Sequence, residues 1–282
     1  MSLKPFKSIG IGVAFSPNLK ANLFEAARLA VFFDCKLFLI HVGESSEDKV
    51  NVLSTILKSF EKDNLKYEVV FKPGDPVDVI LSTSEEKKIA LLILGAVQRE
   101  HFLKYYVGSI ARKITRKAKC SILLLIKPAV EREPCQHIVV NGLKDPRTEQ
   151  TITAAFYVAN KLKANKITIV EEINKEQAAI KIYDDKSLRR STIMKERIQL
   201  RENTRVKEII SHIPEEYTKD KTIKLQAIFG KKGYSIGHYA QITRADLLVM
   251  NAPSKMTFWD RLFPHDIEHI LTELPTDVLI LQ

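Results

Sequence analysis

The 282-residue chain lacks the short signatures by which many enzymes and metal sites are found. It has no Gly-x4-Gly-Lys-Ser/Thr phosphate loop, no Gly-x-Ser-x-Gly nucleophile elbow, and no His-rich or paired-cysteine metal pattern. His265 and His269 stand four residues apart, but no third metal ligand accompanies them. Because no general base or nucleophile can be named, the sequence favours a protein without catalytic activity.

Cysteine is scarce, and long apolar runs are missing. Cys35, Cys120 and Cys135 are scattered and odd in number, which is typical of reduced residues in a core or a loop. No apolar run approaches the roughly 20 residues of a membrane-spanning helix. The amino-terminal residues also lack the apolar stretch of a signal peptide. We therefore expect a cytoplasmic protein with no membrane contact.

The net charge of +10 is spread along the whole chain. Lys and Arg are interleaved with Asp and Glu, which favours a solvated surface of mixed charge. A pocket for a phosphorylated ligand is the second interpretation of this charge, and nucleic acid is the third and least favoured one.

Strand and helix patterns alternate through the first half of the chain. Apolar runs predict strands, and apolar residues at helical spacing predict helices between them. Alternation of this kind indicates right-handed crossovers and a doubly wound parallel α/β sheet. The predicted strands are 7–15, 36–42, 67–71, 90–94 and 121–126, and the predicted helices are 16–33, 50–60, 76–87 and 110–119.

The stretch 91–109 carries the clearest functional signal. Four aliphatic residues end at Gly95, and Gly108-Ser109 open a helical segment. Gly95, Gln98 and Gly108-Ser109 resemble the Gly-x-x-Gly-x9-Gly-Ser/Thr signature of the universal stress protein family, with the second glycine replaced by Gln98. The surrounding strands and helices, including Gly74-Asp75-Pro76, fall in that family's order. The alternative is that Ser109 only caps its helix.

The resemblance implies a Rossmann-like fold that holds an adenine nucleotide at the carboxyl ends of the strands. It implies contacts from seven positions, namely Ala14, Phe15, Val42, Gly95, Gln98, Gly108 and Ser109. Ala14 stands where the family has an aspartate, and Gln98 adds a Cβ where a glycine lets the ligand approach. We expect ATP or AMP in the first domain only, with Mg bound only together with ATP.

The segment after Gln98 has two interpretations. In one, Arg99 or Lys104 neutralises a phosphate and an aromatic side chain covers the ligand. In the other, 99–107 is a mobile surface loop whose Phe102, Tyr105 and Val107 pack back on the domain.

The second half of the chain repeats the first. Residues 90–95 align with 246–251 at an offset of 156, whereas 36–39 align with 166–169 at an offset of 130. The pattern predicts tandem domains at 1–128 and 135–282, separated by a proline-containing seam. The difference of 26 residues indicates an insertion near 171–205, which we expect to be an exposed helical excursion.

The second repeat keeps the scaffold but not the motif. Asn251, Ser254 and Pro264-His265 replace the motif glycines and serine, and Pro264 has no backbone N–H to donate. Asn141-Gly142 stand where the family has its aspartate. We expect no nucleotide in this domain. The apolar residues around Trp259 predict packing against the same domain, the first repeat or a partner.

The chain is identified as a tandem member of the universal stress protein family, which implies a non-catalytic stress-response or signalling protein that binds adenine nucleotide in the first domain. The alternative is a protein-interaction module that binds no nucleotide and recruits a partner through 171–205 and the Trp259 loop. Slow ATP hydrolysis or phosphotransfer is the weakest alternative. The resemblance also implies an intramolecular pseudo-dimer with the strands 121–126 and 278–281 at its interface, and a homodimer or a signalling protein partner stays open.

Overall fold

The computed structural model describes residues 5–98, 105–174, 181, 183–230, 234–252 and 270–282. Contacts divide the chain into two compact units. The first unit comprises the residues up to Pro134 together with Leu271–Gln282, and the second comprises Cys135–Ile270. The repeat boundaries at 1–128 and 135–282 stay a prediction. The division into compact units assigns Leu271–Gln282 to the first unit, whereas the sequence repeat assigns these residues to the second domain.

The first unit alternates strands with helices along a parallel sheet of order β7-β4-β1-β2-β3. A 3-10 segment, Lys58–Asp63, follows α2. This arrangement confirms the predicted doubly wound α/β fold. Its elements are β1 Ser8–Val13, α1 Leu19–Phe33, β2 Lys36–Val42, α2 Glu47–Leu57, β3 Tyr67–Lys72, α3 Pro76–Glu86, β4 Leu91–Gly95, β5 Val97–Gln98, β6 Tyr105–Tyr106, α4 Ser109–Lys117 and β7 Ser121–Leu125.

Local sequence explains why these elements begin and pack where they do. Strand β2 is apolar at consecutive positions because helices cover both faces of a parallel sheet. In β1, a Cβ on Gly10 would lie 2.5 Å from Ile89 Cδ1, so only glycine lets that side chain approach. Helix α3 begins at Pro76, and the Asp75 carboxylate accepts hydrogen bonds from Val77 N at 2.9 Å and Asp78 N at 3.2 Å. Asp75 therefore satisfies amides that the helix itself cannot.

The second unit has a parallel sheet of order β10-β9-β8-β11. Its buried strand residues are mostly Ile, Leu and Val, as in the first unit. The same alternation of strands and helices therefore builds both sheets. Its elements are β8 His137–Asn141, α5 Thr148–Leu162, β9 Lys166–Asn174, α6 Asp185–Ser211, α7 Glu215–Thr218, β10 Thr222–Gly230, α8 Tyr234–Ile242 and β11 Leu247–Asn251.

The segment expected to be an exposed helical excursion contains both a strand and a helix. Glu171–Asn174 continue β9, so a helical, exposed assignment is wrong for these residues. Both Glu171 and Glu172 are buried. Helix α6 begins at Asp185 with a capping box between Asp184 and Ser187, and it continues beyond Arg205 to Ser211.

The last strand, β12 at Asp277–Leu281, belongs to the first unit. It pairs antiparallel with β7, with Val278 opposite Leu124 and Ile280 opposite Ile122. The Asp277 carboxylate also accepts a hydrogen bond from Ile126 N at 2.8 Å. The two terminal strands that the sequence places together are therefore hydrogen-bonded, which covers the edge of β7.

Within the part of the chain that the structure describes, no helix combines the length and the apolar character that crossing a membrane requires.

Candidate functional site

The candidate site lies at the carboxyl edge of the first unit's sheet. Strand order reverses between β1 and β4, and ligands of doubly wound sheets bind beside such a reversal. Ala14 and Phe15 follow β1, Val42 is the last residue of β2, and Gly95 is the last residue of β4. Four of the predicted contact positions therefore share this edge.

Gly95 has open space where a side chain would be. It is exposed, and a Cβ built on it would meet Asn22 Oδ1 at 3.8 Å, an ordinary van der Waals distance. Its backbone does not have the positive φ that would require glycine. Among the described residues, neither packing nor conformation explains a glycine here, and none of them fills the space beside Gly95.

The start of α4 presents backbone amides that donate to no carbonyl oxygen among the described residues. Gly108 is the N-cap, and its lack of a side chain leaves the helix start without a side-chain cap. The first hydrogen bond of the helix runs from Arg112 N to Gly108 O at 2.9 Å. The amides of Ser109, Ile110 and Ala111 come before this bond in the chain, so the helix itself provides no acceptor for them. Ser109 is the first helical residue, and the alternative in which it caps the helix is wrong. Backbone amides at a helix start favour an anion.

A short hairpin joins the two halves of the motif. Val97 pairs with Tyr106, and Gln98 pairs with Tyr105. A Cβ on Gly108 would lie 3.2 Å from Val97 Cγ2, so packing against Val97 also favours glycine at that position. Gln98 is thus a strand residue. Arg99, Phe102 and Lys104, named in the sequence analysis, lie outside the described residues.

An aromatic row forms the other side of this edge. Strand register places His41 beside Val13 on β1 and Phe71 on β3. The His41 ring lies 5.0 Å from the Phe15 ring and 5.6 Å from the Phe71 ring, and its Nδ1 is 3.0 Å from the Val13 carbonyl oxygen. Phe15 is 40% exposed, which leaves part of its ring open to a ligand. Ala14, immediately before it, supplies no carboxylate.

The carboxyl-terminal segment holds the residues that lead into α4. The Leu271 carbonyl oxygen accepts hydrogen bonds from Val107 N at 3.0 Å and from the Arg112 guanidinium at 3.1 Å. Leu274 N donates to the Tyr105 carbonyl oxygen at 2.9 Å. These bonds fix β6 and the start of α4 to a segment more than a hundred residues away in sequence.

Sequence reasoning missed three contributors to this site. It assigned a ligand contact to the main chain near His41 but no role to the His41 ring. It did not name Asn22, and it did not connect Leu271 to the start of α4. Register would have found His41, because β1 and β2 end together at this edge. Asn22 and Leu271 had no comparable signal, since their proximity depends on tertiary packing.

At the corresponding edge of the second unit, polar side chains hydrogen-bond to one another. Asn251, at the motif position equivalent to Gly95, accepts a hydrogen bond from the Thr151 hydroxyl, and its Nδ2 donates to Asp145 Oδ1 at 3.4 Å. Burial disfavours ionised Asp145, but hydrogen bonds from Arg147 outweigh it and hold the pKa below its usual value. The sequence analysis noted Asn141-Gly142 here and missed Asp145. Ser254, Trp259, Pro264-His265 and His269 lie outside the described residues.

Two buried carboxylates follow one another on β9 in the second unit. Glu172 accepts a hydrogen bond from Ile236 N, at the start of α8, at 2.7 Å. Glu171 forms an ion pair with Arg205 of α6 at 3.1 Å, and Arg205 also contacts Glu202 at 2.9 Å. Burial raises the pKa of Glu171 to about 7; Arg205 opposes this rise, and Glu202 adds to it. These contacts attach α6 to the sheet.

Among the described residues, no group of three or more His, Cys, Asp and Glu side chains has an arrangement that could hold a metal ion. Ala14, which follows β1, supplies no carboxylate as a metal ligand.

Comparison with known proteins agrees with this geometry. Residues 5–125 match the profile of the Universal stress protein family. A universal stress protein from Methanocaldococcus jannaschii is 23% identical over 126 residues, and the alignment covers 38% of this chain and 74% of that protein.

Solved structures extend the likeness to the whole chain. A putative universal stress protein from Pseudomonas aeruginosa has a TM-score of 0.70 and 18% identity, with 99% of this chain and 94% of that chain covered. A universal stress protein from Archaeoglobus fulgidus has a TM-score of 0.66 and 16% identity, with 98% of both chains covered. The fold is therefore that of a tandem pair of Rossmann-like domains. With the match over 5–125, these findings show a universal stress protein domain in the first half of the chain.

Proposed function

We propose that this chain is a non-catalytic stress-response or signalling protein whose first unit binds ATP or AMP. The observation that supports this most strongly is the open space beside Gly95, within the segment 5–125 that matches the family. The start of α4, where Gly108 provides no side-chain cap, follows on the same hairpin.

The residues present fit the phosphate end of a nucleotide. The amides of Ser109, Ile110 and Ala111 are donors for phosphate oxygens, and α4 has no acidic residue in its first turn to repel them. Gly95 lets the ligand approach the backbone. In this proposal the main chain at Val42 contacts the base, and the exposed part of the Phe15 ring packs beside it.

The ribose end departs from the family pattern. An aspartate in the place of Ala14 would accept hydrogen bonds from ribose hydroxyls, and a methyl group cannot. We therefore expect weaker binding than a site with the carboxylate, with most of the affinity carried by the phosphates. Ligand binding to the native state would then stabilise it by about 1 to 3 kcal/mol at concentrations above the dissociation constant.

Isothermal titration calorimetry with ATP and AMP, with and without Mg²⁺, tests the proposal. Gly95→Val fills the open space, so we expect a folded protein with at least tenfold weaker binding, about 1.4 kcal/mol. Gly108→Pro removes one backbone N–H and should weaken binding as well. Asn251→Gly, the equivalent position in the second unit, is the matched control and should leave the stoichiometry at one nucleotide per chain. Unchanged binding by Gly95→Val would contradict the proposed site.

The alternative is a protein-interaction module with no nucleotide in either unit. Ala14 and the side-chain hydrogen bonds that close the second unit's edge favour it. Absence of binding heat up to millimolar ATP and AMP, with no nucleotide retained through purification, would support this alternative. Metal-dependent release of ADP from ATP by the purified protein would instead support hydrolysis.

A further inference from the structure

Helix α6 packs on the second unit along one narrow face only. Its buried residues recur at intervals of seven or four positions, and Ile198 among them packs with Ile173, Ala227 and Phe229. Residues at this spacing lie on one side of a helix, so the opposite side faces solvent. The buried members are Ser191, Ile198, Glu202 and Val206.

Two exposed aliphatic side chains lie on that opposite side. Ile193 is 38% exposed and Leu200 is 69% exposed. They are seven residues apart, two turns of helix, and therefore form one short apolar stripe. Because the two side chains adjoin on one face, their exposed apolar surface is a candidate for contact with a partner.

Basic side chains flank the stripe on both sides. Helical geometry places Arg189 on one side of Ile193 and Leu200, and Lys186, Arg190, Arg197 and Arg201 on the other side. Lys195 lies towards the packed face, where its Nζ is 5.9 Å from the centre of the Phe229 ring. Between 186 and 201 the sequence has six basic residues and one acidic residue, Glu196. We call Ile193, Leu200 and the flanking basic residues the α6 seam, where the flanking residues are Lys186, Arg189, Arg190, Arg197 and Arg201, all exposed.

The arginines of the α6 seam are available for a partner. Arg201 shares an ion pair with the buried Glu202 at 2.9 Å and is 66% exposed along its side chain. Within the described part of the chain, Arg189, Arg190 and Arg197 form no ion pair. Each guanidinium offers several donors suited to a carboxylate.

We propose that the α6 seam docks an acidic amphipathic helix of a partner protein. A helix with aliphatic residues seven apart and carboxylates beside them matches both the stripe and its flanks, as in heptad pairing. A lipid surface fits less well, because interfacial helices bury a broad apolar face, whereas two side chains make a narrow one. Nucleic acid would use the charge but gain nothing from the exposed Leu200.

The probe for this proposal is a synthetic peptide of three heptads, with leucine at the seam position of each heptad and glutamate beside it. Fluorescence anisotropy of the labelled peptide should show saturable binding to the full chain that weakens as salt is raised. Arg190→Glu with Arg197→Glu should weaken binding about tenfold or more, since two attractive pairs become repulsive. Lys144→Glu with Lys219→Glu makes the same charge change elsewhere on the second unit and should leave binding within about twofold.

A second variant separates the stripe from the charge. Leu200→Ser leaves the charge unchanged and should weaken binding several-fold at all salt concentrations, because it removes the more exposed apolar contact. Equal binding by the double arginine variant would overturn the proposal, and so would no binding at the highest soluble peptide concentration. Tighter binding of duplex DNA or of phosphatidylserine vesicles than of the peptide would also overturn it. Circular dichroism should show all variants folded, since every substituted side chain is exposed.

Discussion

Replacement of the buried Glu171 by glutamine should stabilise the protein at neutral and alkaline pH. Glu171 is 3% exposed, and none of the described residues hydrogen-bonds its Oε2. Burial raises its pKa from 4.5 to about 7 despite the ion pair with Arg205. The folded protein therefore holds this proton more tightly than the unfolded chain does.

The magnitude follows from linkage between protonation and folding. Below about pH 4.5 Glu171 is protonated in both states, so it imposes no cost. As the pH rises to about 7, ionisation favours the unfolded chain, and the cost is complete above pH 7. A rise of the pKa from 4.5 to about 7 corresponds to about 3 kcal/mol, because each tenfold change in proton affinity is worth about 1.4 kcal/mol.

Urea denaturation followed by circular dichroism, at pH 5 and at pH 8, measures this difference. Glu171→Gln should exceed the stability of the parent protein by about 1 kcal/mol or less at pH 5 and by up to about 3 kcal/mol at pH 8. The reasoning is refuted if the difference between the two proteins is the same at both pH values.

Glu202, which also pairs with Arg205, is a control whose replacement should change stability in the opposite direction. Burial disfavours its ionised form, but hydrogen bonds from Arg205 and Arg201 outweigh this and lower its pKa. Its contribution to stability is present above the unfolded pKa and is lost as the pH falls through the folded value. Glu202→Gln should therefore destabilise the protein at pH 8, whereas Glu171→Gln stabilises it.

Two further predictions concern the first unit. Arg112→Ala removes the hydrogen bond from the guanidinium to the Leu271 carbonyl oxygen and should lower the free energy of unfolding by about 1 kcal/mol. Hydrogen exchange at the amides of Val107 and Leu274 should become faster than in the parent protein. Unchanged exchange at these amides would show that this bond does not hold the segment. Asp75→Ala removes the N-cap of α3 and should lower the free energy of unfolding by about 1 kcal/mol. Asp78→Ala, the control, should have a smaller effect. Equal losses of stability in urea denaturation would contradict the capping role of Asp75.

The alternation of elements in the first unit could be predicted from sequence because each element carries its own signal. Strand β2 is a continuous apolar run with clear ends, and its bounds, Lys36–Val42, agree with the prediction. Helix α3 has Asp75 and Pro76 at its start, and both are local signals. Such elements need no information from elsewhere in the chain.

The end of β9 could not be predicted in the same way. Glu171 and Glu172 are polar residues, and their pattern favours an exposed segment. Their burial depends on Arg205, which is distant in sequence, and on the amide of Ile236. Charged residues are buried when paired, and a single sequence does not show the pairing.

The candidate site was predictable only where the motif spacing reports backbone geometry. Gly95 and Gly108 stand out because the chain there must leave space or begin a helix. The His41 ring and the Leu271 carbonyl oxygen reach the site through strand register and through the return of the chain as β12. These contacts depend on how distant segments pack, so the spacing of residues did not reveal them.

The central claim is that the first unit binds an adenine nucleotide at the start of α4. Backbone amide NMR of the isotopically labelled chain, titrated with ATP and with AMP, tests it most directly. We expect the largest shifts at Gly95 and at Ser109, Ile110 and Ala111, with none at Asn251 in the second unit. Absence of shifts at millimolar nucleotide, or shifts confined to the second unit, would contradict the claim.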